Sequence, residues 1–141
     1  SDGPTAGFST CDPSKLYLPV DVSPSRPTVE KEINDPASIY SWTKGLLALR
    51  ASVPALGNTC GWKYTSDPQL PYPAVYERFS DDGKYLVIIN PRSEKASAEV
   101  SGYKKLEVVY GDPKALSVKK VSGGLSLRIK GVGSVICKVT E

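Results

Sequence analysis

A chain of 141 residues is the size of one ordinary domain, long enough to bury a real core. Its formal charge of +3 is mild, and lysines adjoin only at Lys104-Lys105 and Lys119-Lys120, whereas nucleic acid binding needs a denser basic stripe. No stretch approaches the roughly 18 consecutive apolar residues of a membrane helix, so a soluble chain is expected, with neither nucleic acid nor membrane as a partner.

Histidine is absent, which leaves Ser-His-Asp and Cys-His catalysis without a base. Methionine is absent too, and this raises the expectation that the chain is processed or cut from something longer. The three cysteines, Cys11, Cys60 and Cys137, lie far apart without a CxxC pair. That pattern favours isolated thiols over a zinc site or a disulfide framework, and a cytoplasmic over a periplasmic location.

In chain order, residues 1–34 hold five prolines and many Ser, Thr, Asp and Gly, with almost no periodic hydrophobicity. They predict an extended, non-repetitive loop, of a length that in compact domains usually signals function or a larger context. At Asp35-Pro36 the pattern changes: Asp35 suits an N-cap and Pro36 the first helical position, and Ile39, Trp42, Leu46, Leu49 and Val53 follow on one helix face. Pro54 ends this helix, with the boundary at Ser52 or Val53. Gly45, inside it, is either a close-packing point or an incidental small residue.

After Gly57 the signals are all β. Asp81-Asp82-Gly83 separates 75–79 from 85–89 as a hairpin, whose second arm is apolar on both faces and therefore a central, doubly covered strand. Further short strands are predicted near 96–100, 106–110, 115–121, 125–129 and 135–139. Leu125, Leu127 and Ile129 alternate with Ser126, Arg128 and Lys130, the pattern of a sheet with one wet face. Short strands with regular turns predict an antiparallel sandwich.

Two kinds of residue could carry chemistry. Paired carboxylates suffice for glycoside hydrolysis, but Asp81 and Asp82 fall in a turn, Glu30 and Glu32 in a loop and Asp112 in a tight turn, where structural roles account for them. Trp62, Tyr64, Tyr72 and Tyr76 flank the proline-stiffened segment 67–71. Their faces suit stacking on sugar rings, and packing in a core or between domains accounts for them at least as well.

Ala6-Gly7-Phe8-Ser9, Asp12-Pro13-Ser14-Lys15 and Leu16-Tyr17-Leu18-Pro19-Val20 resemble the loop after the last barrel strand in the α-amylase superfamily, glycoside hydrolase family 13. Asp35-Pro36-Ala37-Ser38, Leu46-Leu47-Ala48-Leu49-Arg50 and Pro54-Ala55-Leu56-Gly57 are similar to its last barrel helix, and Tyr76-Glu77-Arg78 with Leu86-Val87-Ile88-Ile89-Asn90 to the opening hairpin of its C-terminal domain. The nearest pattern is that of the α-glucosidase, oligo-1,6-glucosidase and trehalose synthase group. The segment 61–74 has no counterpart in that pattern, and Pro91 departs from it.

The resemblance implies a fold and a division of labour. Residues 1–56 would be the last loop and helix of a (β/α)8 catalytic barrel, and 57–141 a Greek-key β-sandwich that stabilises it. The parent would be a retaining glycoside hydrolase or transglycosylase acting on α-linked glucosides such as starch oligosaccharides, with two carboxylates about 5 to 5.5 Å apart. Those carboxylates would follow upstream barrel strands, so the resemblance places no catalytic residue in this chain. The expected partners are the upstream barrel and its α-glucan or maltooligosaccharide substrate. No cofactor is expected in this chain, and calcium is expected only in the parent. Without its barrel the apolar helix face would favour self-association. Two other readings are a free carbohydrate-binding module using Trp62, Tyr64 and Tyr72, and an Ig-like interaction module; a barrel helix argues against both.

Overall fold

A computed structural model describes residue 3 and residues 5–140. The chain divides into two compact units, the first ending at Ala48 and the second starting at Leu49.

The first unit is not wholly irregular before residue 35. Asp12 caps a 3₁₀ turn, Pro13–Lys15, by accepting from the Ser14 N–H at 2.9 Å. A single α-turn, α1 (Val29–Glu32), is capped by Thr28, whose hydroxyl accepts from the Lys31 N–H. This corrects the reading of Glu30 and Glu32 as loop residues. Periodicity could not reveal one turn, because a hydrophobic face needs several turns to register.

The long helix α2 (Ile39–Ser52) starts later than Asp35 predicts. Asp35 spends its carboxylate on the Ala37 N–H, 2.8 Å away, in a turn of its own. Ser38 is the cap instead: its hydroxyl accepts from the Ser41 N–H at 3.1 Å, and its carbonyl takes the Trp42 N–H. Glu32 satisfies another orphan donor by accepting from the Tyr40 N–H at 3.1 Å. The end falls where Pro54 dictates, with Val53 extended at φ −116° and ψ 104°. No side chain of α2 is fully buried; Ile39 is 78% exposed, and Trp42 and Leu46 are also open to solvent.

The described residues of the second unit form eight strands: β1 (Gly61–Tyr64), β2 (Ala74–Ser80), β3 (Gly83–Asn90), β4 (Ala96–Ser101), β5 (Lys105–Gly111), β6 (Leu116–Val121), β7 (Gly124–Ile129) and β8 (Gly133–Thr140). They form a five-stranded sheet in the order β1-β2-β3-β8-β5 and a three-stranded sheet in the order β4-β7-β6, with every pairing antiparallel. The chain is mainly β, as its turn-punctuated strands predict, and it passes from sheet to sheet before β8 inserts between β3 and β5.

The core lies between the two sheets. Val75, Leu86, Ile88, Val135 and Cys137 on one side meet Val100, Leu125, Leu127 and Ile129 on the other. The intervening residues of β3, Tyr85 and Val87, face outward and form a second cluster with Ile136, Ala55 and Leu56, to which Leu49 and Val53 at the end of α2 add. Strand β3 is therefore covered on both faces, as its unbroken apolar run requires. The hairpin is closed by Asp81 and Asp82 between the paired Ser80 and Gly83.

Strand β1 was not expected, since its four residues lack an alternating pattern and looked like part of an aromatic loop. It pairs along β2, with Gly61 opposite Phe79 and Tyr64 opposite Tyr76. Gly61 lets the ring of its partner Phe79 lie over the β1 backbone, and a Cβ there would make that partly exposed ring shift.

Candidate functional site

The aromatic residues singled out above do not form one platform. Trp62 and Tyr64 are two apart on β1 and so share a face of the five-stranded sheet, beside their partners Arg78 and Tyr76. Tyr76 packs against the Ala55, Leu56, Tyr85 and Val87 cluster, which places this face on the outside of the sandwich. Arg78 ties the same face down by donating from Nη2 to the Gly57 carbonyl. Trp62 is 66% exposed at the sheet edge.

Tyr72 sits elsewhere, in a cleft of about 320 Å³ between the 66–73 loop and the strands β4 and β7. Asp67 and Leu70 from the loop line it, as do Ser97, Glu99 and Ser126 from the strands. The loop is anchored at its base. The Thr65 N–H donates to the Val75 carbonyl at 2.9 Å, and the buried Ser66 hydroxyl accepts from the Val75 N–H at 3.1 Å. Asp67 then accepts from the Gln69 N–H through Oδ1 at 2.8 Å, and its carbonyl takes the Leu70 N–H. A segment that is mostly turn residues is thereby held in one shape.

Sequence reasoning missed Asp67 and Glu99 in this cleft. Asp67 lies in the proline-stiffened segment 67–71, and Glu99 is an exposed residue of β4, so neither has a pattern along the chain that marks it. Only the approach of the loop to β4 gives the two carboxylates a common opening.

The other carboxylates have local work. Asp112 caps a 3₁₀ turn by accepting from the Lys114 N–H at 2.9 Å, and Asp81 and Asp82 are exposed in their hairpin. Hydrogen bonds from Ser14 hold Asp12 below the usual carboxylate range, as those from Ser23 hold Asp21. Glu77, which the sequence marks only as part of the Tyr76-Glu77-Arg78 motif, is only 8% exposed and accepts from the Tyr103 hydroxyl at 2.8 Å. Burial, reinforced by this bond and the carboxylate charge, pushes the Tyr103 hydroxyl well above the ordinary tyrosine value.

The thiols are unpaired. Cys11 is exposed, Cys60 donates to the Pro54 carbonyl at 2.7 Å, and Cys137 lies in the core, where burial pushes its thiol up to about 11. Among the described residues no three His, Cys, Asp or Glu side chains converge as metal ligands.

No protein-family model and no curated protein matches the chain. Solved structures do. The trehalulose synthase MutB from Pseudomonas mesoacidophila MX-45 superimposes with a TM-score of 0.74 at 28% identity, over 99% of this chain and 24% of its own. A MutB variant from crystals soaked with trehalulose gives 0.76 at 29% identity, over 98% and 24%. A variant in complex with the substrate sucrose gives 0.72 at 28%, over 99% and 24%. The chain thus spans about a quarter of the length of the enzymes it matches. In motifs and in fold, it resembles the C-terminal part of an enzyme of the α-amylase superfamily, glycoside hydrolase family 13.

Proposed function

We propose that the chain is the non-catalytic C-terminal region of a larger enzyme acting on α-linked glucosides, in the group of α-glucosidases, oligo-1,6-glucosidases and sucrose- or trehalose-converting synthases. The observation that carries this reading is the pair of coverages: nearly all of this chain matches, against 24% of each synthase. The remaining length of such an enzyme accommodates a catalytic barrel. The carboxylates that a retaining mechanism requires then belong to that barrel, in keeping with the capping and turn roles of the acidic residues described above.

In this reading the sandwich is a buttress. The outer face of the five-stranded sheet, with Trp62, Tyr64, Tyr76 and Arg78, is the surface that the parent barrel covers. The exposed Ile39, Trp42 and Leu46 of α2 are its barrel-facing stripe. Separated from the barrel, this stripe drives self-association, and sedimentation velocity on the isolated chain then shows a concentration-dependent dimer that Trp42→Glu abolishes. The three unpaired thiols fit a reducing compartment.

The test is turnover. The pure 141-residue chain releases no product from sucrose, maltose or 4-nitrophenyl α-glucoside. The parent enzyme does, and deleting its segment from position 57 onward lowers its thermal stability. Turnover by the isolated chain, lost on substitution of one of its own carboxylates, overturns the proposal.

A further inference from the structure

We infer that the Tyr72 cleft is a second carbohydrate site, remote from catalysis, that holds one or two rings of a neutral α-glucoside; its ligand class rests on the function proposed above. Three observations converge. The first is shape: a cleft of about 320 Å³ lies at the small end of the roughly 300 to 1,000 Å³ typical of small-molecule sites. The second is its lining, which sets an aromatic ring and the apolar Leu70 against polar groups on the opposite wall. Sugars have one face of C–H groups and a rim of hydroxyls, and this division matches both. Tyr72, 40% exposed, presents ring surface for the C–H face. Ser97 and Ser126 supply hydroxyls that donate or accept, and Asp67 and Glu99 supply carboxylate oxygens for adjacent sugar hydroxyls.

The third is charge. The lining includes two carboxylates and no Lys or Arg, and exposed Arg128 and Lys119 stand opposite Ser97 and Ser126 in register, so the charges around the cleft nearly balance and suit a neutral polyol. The loop is also organised in advance. Ser66 and Pro73 are buried, and the bonds from residues 65–66 to Val75 fix the backbone that carries Tyr72. Little ordering cost then opposes binding. Trp62 and Tyr64 do not line this cleft and are not part of the site.

The experiment is a titration of the ¹⁵N-labelled 141-residue chain with maltose, with lactose and glucose 6-phosphate as separate probes, followed by ¹H–¹⁵N correlation spectra. Maltose at millimolar concentrations shifts the amides of residues 66–73, 97–99 and 126, and leaves those of 61–64 in place. Tyr72→Ala weakens binding by about tenfold through loss of the ring surface. Glu99→Gln, at an exposed strand position that does not endanger the fold, weakens it by about threefold. Glucose 6-phosphate binds less well than maltose. No shift at the cleft, unchanged affinity in both variants, or shifts centred on Trp62 overturns the site while leaving the turnover test above untouched. Binding of lactose without maltose overturns the α-glucoside assignment, and with it the support this site lends to the parent's chemistry.

Discussion

Asn90 offers the sharpest test of how the sandwich is held together. It is fully buried at the end of β3, and its amide Nδ2 donates to the Glu94 carbonyl at 2.8 Å and the Lys130 carbonyl at 2.9 Å. Its Oδ1 accepts from the Arg92 N–H at 3.3 Å. One side chain therefore ties the loop after β3 to the turn between β7 and β8, where the Val132 N–H also donates to the Arg92 carbonyl at 2.7 Å. In Asn90→Ala the two amide bonds, worth about 1 kcal/mol each, are lost, and the Lys130 carbonyl is left without its donor for about 1 kcal/mol more. The loss sums to about 3 kcal/mol, a large part of the roughly 5 to 15 kcal/mol that holds an ordinary domain folded. Urea denaturation, with the slope unchanged, measures it. Asn90→Asp preserves volume but sets a carboxylate against two carbonyl oxygens, which favours its protonated form and raises its value in the folded state. A raised carboxyl contributes stability below its unfolded value and loses it as pH rises, so this variant is least impaired in acid and worsens toward neutrality. A loss below about 1 kcal/mol in Asn90→Ala, or Asn90→Asp as stable as the parent at neutral pH, refutes the reasoning.

Two further predictions concern other parts of the second unit. Tyr103→Phe removes the donor from the buried Glu77 carboxylate and lowers stability at neutral pH by about 2 kcal/mol. Because the Tyr103 hydroxyl is raised in the folded state, its contribution holds below the ordinary tyrosine value of about 10 and drains away as pH rises above it. The variant should lack that alkaline loss in denaturation curves between neutral and alkaline pH, and an unaltered alkaline slope would count against the assignment. Val132 is a β-branched residue at φ 48°, exposed in the turn before β8. Val132→Gly relieves the left-handed strain of about 1 to 2 kcal/mol and gives back part of it as chain entropy, for a net gain of about 0.5 kcal/mol by thermal unfolding; a destabilised variant would contradict this.

The pattern of the chain determined a good deal unaided. Period-two apolar residues and turn residues placed seven of the eight strands, Pro54 set the end of α2, and the double apolar face of β3 predicted its central position. These are consequences of short-range sterics and side-chain alternation, which are written in consecutive residues. The motifs around Asp12, Asp35 and Pro54 carried the family resemblance for the same reason: each is a contiguous run.

What the tertiary structure alone decided involves partners distant in sequence. β1 is a strand only because β2 offers it an edge, and Ser38 takes the cap only because Asp35 is committed to Ala37. The burial of Glu77 depends on Tyr103, and the separation of Tyr72 from Trp62 and Tyr64 on where the 66–73 loop meets β4. Proximity of that kind is set by how two sheets stack and how a loop closes over them, and the spacing of residues along a chain carries no record of it.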